Sequence, residues 1–389
     1  MPNPVQPAPI VASYIATFLK PEMLHIYRQV TALRRWQAAV ICQKRENAER
    51  FPFSPVQIVR KPWSHQLRRW WCKSVLRAPI TIYAAEARRL HAEITRGGAR
   101  VLHVYFGHIG VHLLPLLEIA PVPVIVSFHG ADAQVDMEKP RHLAAMQRVL
   151  AVATLLLVRS ESLAERLVAL GAARGEIRIH RTGIPLAEVP FTQRAAPADG
   201  AWRCVQACRL IAKKGLATTL HAFAAFQKEY PHATLTIAGE GPQLEAMRSL
   251  AASLGVAVAF PGFLGQPELR ALYAESHLFL HPSELGTDGN QEGVPNSMLE
   301  AMASGLPVLA TTHGGIPEAV EHGVSGVLVA ERDHRSLAAE MLALAATPER
   351  YAAMSRAAAE SVARTFDLRA TAAALEGFYD EAASQCRSE

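Results

Sequence analysis

Short apolar segments alternate with longer amphipathic segments along most of the chain, and this alternation limits the possible folds more than any other sequence feature. It is typical of parallel α/β sheets, because two parallel strands must be joined by a crossover connection, which is usually a helix. The spacing of apolar residues predicts helices over 215–230 and 242–254. The predicted strands are 10–15, 38–42, 100–105, 122–128, 155–159, 177–181, 203–207, 233–238, 256–260, 278–281, 307–310 and 326–329.

The length of 389 residues favours two domains. Residues 185–202 are rich in Pro, Ala and polar residues and lack periodicity, which indicates the boundary. We predict an N-terminal domain over 1–185, a linker over 186–200, a C-terminal domain over 201–365 and a C-terminal helix over 366–389 that crosses back to the N-terminal domain. Both domains should be doubly wound and Rossmann-like, with ligands at the carboxyl ends of their strands.

The composition indicates a cytoplasmic protein. Five cysteines are scattered and odd in number, which is typical of a reducing compartment. Cys204 and Cys208 have a C-x3-C spacing, but no further ligands lie nearby, so a zinc site is not expected. The first residues carry no positive charge, so we do not expect a signal peptide. The longest apolar run, 149–158, has about half the length of a membrane span.

The net charge of +5 hides an asymmetry between the two halves. Residues 1–185 contain 25 Lys and Arg against 12 Asp and Glu, whereas residues 186–389 contain 15 against 23. A basic half suits nucleic acid, anionic lipid or a phosphorylated substrate. Nucleic acid is not predicted as a partner, because no binding motif accompanies the charge and the arginines are spread rather than striped.

Part of the basic half, residues 60–77, combines cationic side chains with tryptophans, and we call it the basic Trp segment. Trp favours the membrane–water boundary, and Lys and Arg favour anionic headgroups. Two interpretations stay open. The segment docks on the anionic inner leaflet, or its tryptophans pack into the domain core. The residues concerned are Arg60, Lys61, Trp63, His65, Arg68, Arg69, Trp70, Trp71, Lys73 and Arg77.

Four clusters of polar residues follow predicted strands. "VSFHGAD" contains His129, and "ACRLIAKKG" contains Arg209 and Lys214, two cations that suit a diphosphate. "LTIAGEGPQLEAM" is similar to a phosphate loop, although glycine spacing alone is a weak signal. The fourth cluster is "EGVPNSMLE" (292–300), with "THGGIPE" downstream. Taken singly, the first is equally consistent with a structural histidine at a turn, and the second is more consistent with a solvated basic turn than with a diphosphate site.

The fourth cluster spaces two carboxylates around a helix start. Pro295 is tolerated there because the first N–H groups of a helix have no partner within it. Glu292 should therefore lie on a loop and Glu300 in the helix. Between them, the free N–H groups and positive dipole end favour an anion.

Together and in this order, the motifs resemble the retaining GT-B glycosyltransferases of family 4, especially bacterial exopolysaccharide and colanic-acid-type members. The resemblance runs from about residue 100 to residue 344, and the E-x7-E element is its most diagnostic part. The stretches that carry it are "HVYFGHIG", "VSFHGAD", "RTGIP", "CRLIAKKG", "IAGEGP", "FPGFLG", "PSELGTDGNQEGVPNSMLEAMASGLPVLAT" and "GGIPE".

The resemblance implies a role for each matched residue. His129 and Glu292 would lie beside the donor sugar as catalytic residues. Arg209 and Lys214 would bind the diphosphate, and Glu300 the ribose. The other implied donor-binding residues are Gly262 and Phe263 at the base, and Asn296, Ser297 and Met298 at the helix end that receives phosphate.

The chain departs from the family pattern at two places. Pro295 stands where many members have Gly, and it offers no N–H. The stretch "SYIATFLKPEM" has no Gly where many members have a Gly-rich loop. Thr17 and Lys20 are therefore assigned to the acceptor side, together with Gly107 and Asp132.

The implied reaction is sugar transfer from a nucleotide-sugar, with UDP favoured over GDP, to a saccharide or polyprenyl-linked acceptor with retention of configuration. It would serve surface polysaccharide or glycolipid biosynthesis at the inner face of the membrane. No Asp-x-Asp motif is visible, and the resemblance implies no metal and no cofactor, since the nucleotide-sugar is a co-substrate. Two alternatives stay open: a GT-B sugar-nucleotide 2-epimerase, and a non-catalytic scaffold in a polysaccharide assembly complex.

Overall fold

The computed structural model of the protein describes residues 7–20, 23–134, 136–286 and 291–385, which divide into two compact units. The first unit is Met1–Gly183 with Leu368–Glu389, and the second is Ile184–Asp367. Cys386 and residues 287–290, within the stretch "PSELGTDGNQEGVPNSMLEAMASGLPVLAT", lie outside the described residues.

The first unit is built on a parallel sheet. Its strands are β1 (Ile10–Tyr14), β2 (Thr17–Phe18), β3 (Gln37–Cys42), β4 (Lys44–Arg45), β5 (Val56–Ile58), β6 (Ala99–Tyr105), β7 (Val124–Phe128), β8 (Leu155–Val158) and β9 (Ile177–Ile179). The main sheet has the order β5-β3-β1-β6-β7-β8-β9, and β2 pairs separately with β4. The direction of strand progression reverses between β1 and β6, which is the position where doubly wound sheets bind ligands.

Helices cover both faces of this sheet. They are α1 (Leu24–Thr31), α2 (His65–Trp71), α3 (Ala84–Arg96), α4 (Gly107–Leu117), α5 (Pro140–Val152) and α6 (Glu161–Ala169), joined by α13 (Leu368–Gln385) from the chain's end. Successive residues of β7 enter different cores: Val126 packs against α4 and α5, and Ile125 packs on the side of α1 and α13. Burial on both faces explains why this strand is a continuous apolar run.

The second unit repeats this architecture. Its strands are β10 (Arg203–Ala207), β11 (Thr234–Ala238), β12 (Val258–Ala259), β13 (Leu278–His281), β14 (Val308–Thr311) and β15 (Val327–Val329). All their pairings are parallel, in the order β12-β11-β10-β13-β14-β15, so the reversal falls between β10 and β13. The helices are α7 (Leu216–Glu229), α8 (Leu244–Ser253), α9 (Gln266–Glu275), α10 (Asn296–Ala303), α11 (His334–Ala345) and α12 (Pro348–Thr365).

The predicted α/β class and parallel sheets are confirmed, and each of the twelve predicted strands overlaps an observed one. The sequence missed β2, β4 and β5, which have two or three residues and no apolar run. Residues 186–200, predicted as a linker, belong to the second unit. Buried Arg194 holds them there by donating to the carbonyls of Ala274 (2.6 Å) and Ser304 (3.2 Å), contacts that leave no periodic pattern.

The C-terminal helix α13 belongs to the first unit. Its Glu376 is 3 % exposed, and one carboxylate oxygen accepts hydrogen bonds from the backbone N–H groups of Arg34 (2.6 Å), Arg35 (2.6 Å) and Trp36 (3.0 Å). Asp380, one turn later, accepts from the Trp36 indole at 2.9 Å. These contacts fasten the end of the chain to the turn between α1 and β3.

None of the helices in the described ranges has the length and apolar character needed to cross a bilayer. The cysteines that the structure describes, Cys42, Cys72, Cys204 and Cys208, are free thiols.

Candidate functional site

The loop after β10 carries Lys214 at a fixed position in the second unit. Lys214 ends a short 3-10 turn, and its carbonyl accepts a hydrogen bond from the Gln206 side chain at 2.8 Å. Gly215 follows with a φ of +61°, and a Cβ there would lie 1.7 Å from the carbonyl oxygen of Pro282. Only glycine allows this approach, so the backbone of the loop lies against the end of β13.

Two lysines converge on Glu292. The Lys214 Nζ lies 2.5 Å from one carboxylate oxygen of Glu292, and the Lys213 Nζ lies 3.6 Å from the same atom. All three side chains are at most 13 % exposed. Burial raises the pKa of Glu292, but the ammonium groups of Lys214 and Lys213 outweigh it and lower the pKa to about 2. Glu292 is therefore a carboxylate at neutral pH.

The backbone of Glu292 is held by the loop after β14. Its N–H donates to Nε2 of His313 at 3.0 Å, so the other ring nitrogen, Nδ1, carries the proton and donates to Glu331 at 2.6 Å. Gly314, at a φ of +55°, would place a Cβ 2.1 Å from the Glu292 carbonyl oxygen. This contact gives a physical reason for glycine in "THGGIPE".

Helix α10 begins between the two glutamates, as the sequence predicts. Pro295 is the N-cap, and no side chain of the described residues caps the helix, so the N–H groups of its first turn point out of the helix end. Ser297 ties this end to the sheet, because its hydroxyl donates to the carbonyl of Ala207 at the end of β10 at 2.7 Å. The helix therefore starts at the position where the strand order reverses, with its positive dipole end there.

Glu300 is the fifth residue of α10 and is 4 % exposed. Burial raises the pKa of Tyr273 well above its ordinary value, and the Glu300 carboxylate raises it further. The Tyr273 hydroxyl donates to the Ser297 carbonyl at 3.2 Å. Glu300 is thus a buried carboxylate on the same helix whose N-terminus adjoins Glu292.

The other predicted donor-side residues follow neighbouring strands. Arg209 is exposed after β10, and its side chain has no hydrogen-bond or ion-pair partner within the part of the chain that the structure describes. Phe263 is 55 % exposed. Gly262 has a φ of +78°, and its carbonyl accepts from the Gly239 N–H at 2.8 Å, which joins the loops after β11 and β12.

Sequence reasoning missed several residues of this cluster. Lys213 adjoins Lys214, but the sequence did not show that both would meet Glu292. His281 ends β13 fully buried, and neither ring nitrogen has a partner among the described residues. Burial lowers its pKa to about 3, with the Lys214 charge as the next cause.

In the first unit, His129 follows β7 and is held at its backbone. Asp132 accepts from the His129 N–H with one carboxylate oxygen and from the Gly107 N–H with the other, both at 2.8 Å. Burial raises the pKa of Asp132, and the two N–H groups oppose this. The structure thus brings together three of the predicted residues and gives Asp132 and Gly107 a positioning role around His129.

The His129 ring contacts two residues that sequence reasoning missed. Its Nδ1 lies 3.2 Å from the Arg159 guanidinium and 3.3 Å from Nε2 of His25. Burial and then Arg159 lower the pKa of His129 well below its ordinary value. Thr17, in β2, and Lys20 follow β1, at the carboxyl end of the same sheet.

Metal ligands do not cluster in the described ranges: no group of three or more His, Cys, Asp or Glu side chains there is arranged to hold an ion.

The depressed pKa of Glu292 predicts a pH-dependent contribution to stability. Its pKa is about 2 in the fold against 4.5 ordinarily, so the contribution is complete above about pH 4.5 and is lost as the pH falls toward 2. The shift corresponds to on the order of 3 kcal/mol at neutral pH. Urea denaturation should show a constant difference in unfolding free energy between wild type and Glu292→Gln from pH 7 to pH 5, and a smaller one at pH 3.

The matched control is Glu245→Gln, because Glu245 is exposed and paired only with Arg248. Its effect should be small at every pH. A Glu292→Gln effect that stays the same down to pH 3 would contradict the assignment of the low pKa to this ion pair.

We compared the sequence and the fold of the chain with those of known proteins. Residues 192–361 match the family described as Glycosyl transferases group 1. A putative colanic acid biosynthesis glycosyltransferase, WcaL of Salmonella typhimurium, is 34 % identical over 62 % of this chain and 61 % of its own length. The amylovoran biosynthesis glycosyltransferase AmsK of Erwinia amylovora is 34 % identical over 63 % and 61 %. The chain thus spans less than two thirds of these relatives.

Two further likenesses extend the comparison. A glycogen synthase of Mycobacterium tuberculosis is 30 % identical over 72 % of this chain and 68 % of its own length. The crystal structure of HepE from Anabaena in complex with UDP superimposes with a TM-score of 0.76 at 17 % identity, covering 96 % of this chain and all of HepE. At that identity the likeness shows the fold, two Rossmann-like units of GT-B type. The chain belongs to the glycosyltransferase group 1 family.

Proposed function

We propose that the protein transfers a sugar from a UDP-sugar to a saccharide or polyprenyl-linked acceptor in surface polysaccharide or glycolipid biosynthesis. The observation that carries this proposal is the cluster in the second unit, where Lys214 and Glu292 pair at the carboxyl end of the sheet and α10 begins beside them. The relatives named for colanic acid and amylovoran biosynthesis support it, as does the UDP bound to HepE.

The donor diphosphate would be bound by positive charge from three sources. Arg209 is exposed and has its donors unused within the described chain, so it can form a bidentate contact without breaking another. Lys214 and the N–H groups of Asn296, Ser297 and Met298 supply the rest. These groups would stabilise the nucleoside diphosphate as it leaves, which is where negative charge develops. The proposal therefore includes no metal cofactor.

The two glutamates would act at different parts of the donor. A carboxylate with a pKa of about 2 holds no proton to give at neutral pH, so Glu292 is suited to stabilise positive charge at the anomeric carbon. Glu300, buried in α10, would bind the ribose hydroxyls. A role for His129 as a hydrogen-bond donor to a sugar substrate is part of the same proposal.

Donor binding tests the anion site. Arg209→Ala and Lys214→Ala should each remove a charge-assisted contact of about 1.5–3 kcal/mol, which weakens UDP binding roughly ten- to a hundredfold. Titration calorimetry with UDP measures this, and EDTA should leave the wild-type affinity unchanged. Arg248→Ala is the control, because Arg248 is an exposed arginine of the same unit that pairs with Glu245. Full affinity in both site variants would rule out this diphosphate site.

The stereochemistry of the product tests the reaction type. We propose that the acceptor attacks from the leaving-group side, so the new linkage should keep the anomeric configuration of the donor. Proton NMR of the fresh product reads this configuration, and an inverted signal would refute retention. The same spectra, recorded without acceptor, should show an unchanged donor sugar. Conversion to its 2-epimer would favour the epimerase instead.

We further propose that the basic Trp segment attaches the protein to the inner face of the membrane. The exposure of its tryptophans supports this proposal, because Trp63, Trp70 and Trp71 are 84 %, 62 % and 51 % exposed. In α2, Leu67 shares one face with Trp70 and Trp71 at helical spacing. An exposed apolar stripe flanked by cations fits an anionic bilayer surface.

Not every cation of this segment faces outward. The Arg68 guanidinium stacks on the Tyr83 ring at 4.3 Å and donates to Thr81 at 3.3 Å, so Arg68 has a structural role. Arg60, Arg69 and Arg77 are exposed and better suited to meet headgroups.

Vesicle co-sedimentation tests the attachment. The protein should pellet with anionic vesicles at low salt and be released as salt rises. At about 1 kcal/mol per cation, changing Arg60, Arg69 and Arg77 to Ser should weaken binding on the order of a hundredfold. The matched control changes three exposed arginines elsewhere in the unit, Arg88, Arg89 and Arg100, to Ser. Equal binding to neutral vesicles, or equal loss in the control, would refute the proposal.

A further inference from the structure

Arg159 is a buried cation without a carboxylate partner. It follows β8, is 8 % exposed, and has no acidic side chain within ion-pairing distance in the part of the chain that the structure describes. Burial lowers its pKa to about 10, so it remains charged at neutral pH. Burying an unpaired charge destabilises the folded protein. A functional role would explain why the charge is present.

The Arg159 guanidinium divides its donors between two side chains. Nη1 donates to the hydroxyl of Thr182, which follows β9, and Nη2 lies 3.2 Å from Nδ1 of His129. A guanidinium has only donors, so Nδ1 of His129 must accept. A neutral imidazole has one N–H, and the proton of His129 is therefore on Nε2. The contact determines the tautomer.

We infer that Arg159 is a positioning residue that holds His129 as the neutral Nε2–H tautomer, ready to donate one hydrogen bond to the substrate. The Nε2 atom of His129 is buried and has no partner among the described residues. A buried donor without an acceptor is destabilising, and a sugar hydroxyl would satisfy it. The choice of a sugar hydroxyl as acceptor rests on the function proposed above.

Three further contacts fix the ring. Asp132 holds the His129 backbone N–H at 2.8 Å, and the Phe106 ring lies 4.3 Å from the imidazole centre. His25 of α1 reaches the same Nδ1 at 3.3 Å. The backbone N–H, the ring face and the Nδ1 atom of His129 thus each have a partner. Nε2 is the ring nitrogen that can bind the substrate.

The charged and titratable groups around His129 keep it neutral. Asp132 is the carboxylate nearest in sequence, and both its oxygens accept from backbone N–H groups. Protonation of His129 would place a second positive charge beside the Arg159 guanidinium. The two charges would repel each other, and the hydrogen bond from Arg159 to Nδ1 would be lost. The surrounding groups are His25 and Arg28 of α1, His103 and Tyr105 of β6, Asp132 after β7, Arg159 after β8 and His180 after β9.

Nitrogen NMR of the full-length protein labelled at histidine reads the tautomer without any assay of activity. His129→Gln identifies the signal by its loss. Wild type should show His129 with the proton on Nε2 and no titration between pH 5.5 and 8.5. In Arg159→Met both tautomers should appear, and the pKa should rise toward the ordinary value of about 6.5. Arg174→Met, which removes an exposed arginine paired with Glu161, is the control.

Arg159→Lys covers the case in which Arg159→Met does not fold. Its ammonium group keeps the charge but offers no fixed pair of donors, so Thr182 and Nδ1 would compete for it and the second tautomer should become visible. A wild-type His129 with the proton on Nδ1 overturns the inference. So does a His129 signal in Arg159→Lys that is identical to wild type in both tautomer and titration.

A kinetic measurement separates this inference from the proposed function. Release of UDP from UDP-glucose by transfer to water should fall roughly ten- to a hundredfold in kcat for Arg159→Lys, with a smaller change in KM. Full activity in His129→Gln would refute the role of His129 in the reaction but leave the NMR result standing. Unchanged kinetics in Arg159→Lys with an active, His129-dependent wild type would overturn the positioning role.

Discussion

Parallel strand pairing is the constraint on which both units depend. Every pairing of the two main sheets is parallel, so all carboxyl ends of a sheet meet at one edge. Residues far apart in sequence become neighbours there: Lys214 follows β10, Glu292 follows β13 and His313 follows β14. The crossover helices bury both faces of each sheet in apolar cores. Polar side chains can therefore cluster at the carboxyl ends of the strands, outside those cores.

Three buried carboxylates of the two units each have a charged partner or several backbone N–H groups. Glu292 has two ammonium groups, Glu376 accepts three backbone N–H groups, and both oxygens of Asp132 accept from the backbone. Arg159 departs from this rule, since its partners are a neutral hydroxyl and a neutral imidazole. This departure indicates a functional role for Arg159, because a buried charge without a charged partner does not stabilise the fold.

Sequence patterns predicted the strands and the helix start at Asn296 because these depend on local periodicity and on Pro295. They predicted Lys214 and Glu292 as site residues through the motifs that contain them. They could not predict Lys213, Arg159 or His25, since each acts through a contact set by strand order and loop geometry. His25 is separated from His129 by 104 positions in the sequence, and local sequence patterns do not predict contacts between residues so far apart. The sequence also did not predict that Arg194 is buried. Its partners are backbone carbonyls of residues distant in the sequence, which leave no side-chain pattern.

Glu292 and the proposed diphosphate would both interact with Lys214, and the position of Lys213 resolves the competition. The Lys214 Nζ lies 2.5 Å from one carboxylate oxygen of Glu292, and the Lys213 Nζ lies 3.6 Å from the same oxygen while donating to the Gln291 carbonyl at 3.1 Å. If the Lys214 ammonium turned toward a phosphate, Lys213 would still neutralise the carboxylate. Glu292 would then stay ionised throughout donor binding, and its negative charge would be present when the anomeric carbon becomes positive. In the proposed function, two adjacent lysines would thus let one carboxylate remain buried while its nearer partner binds the substrate.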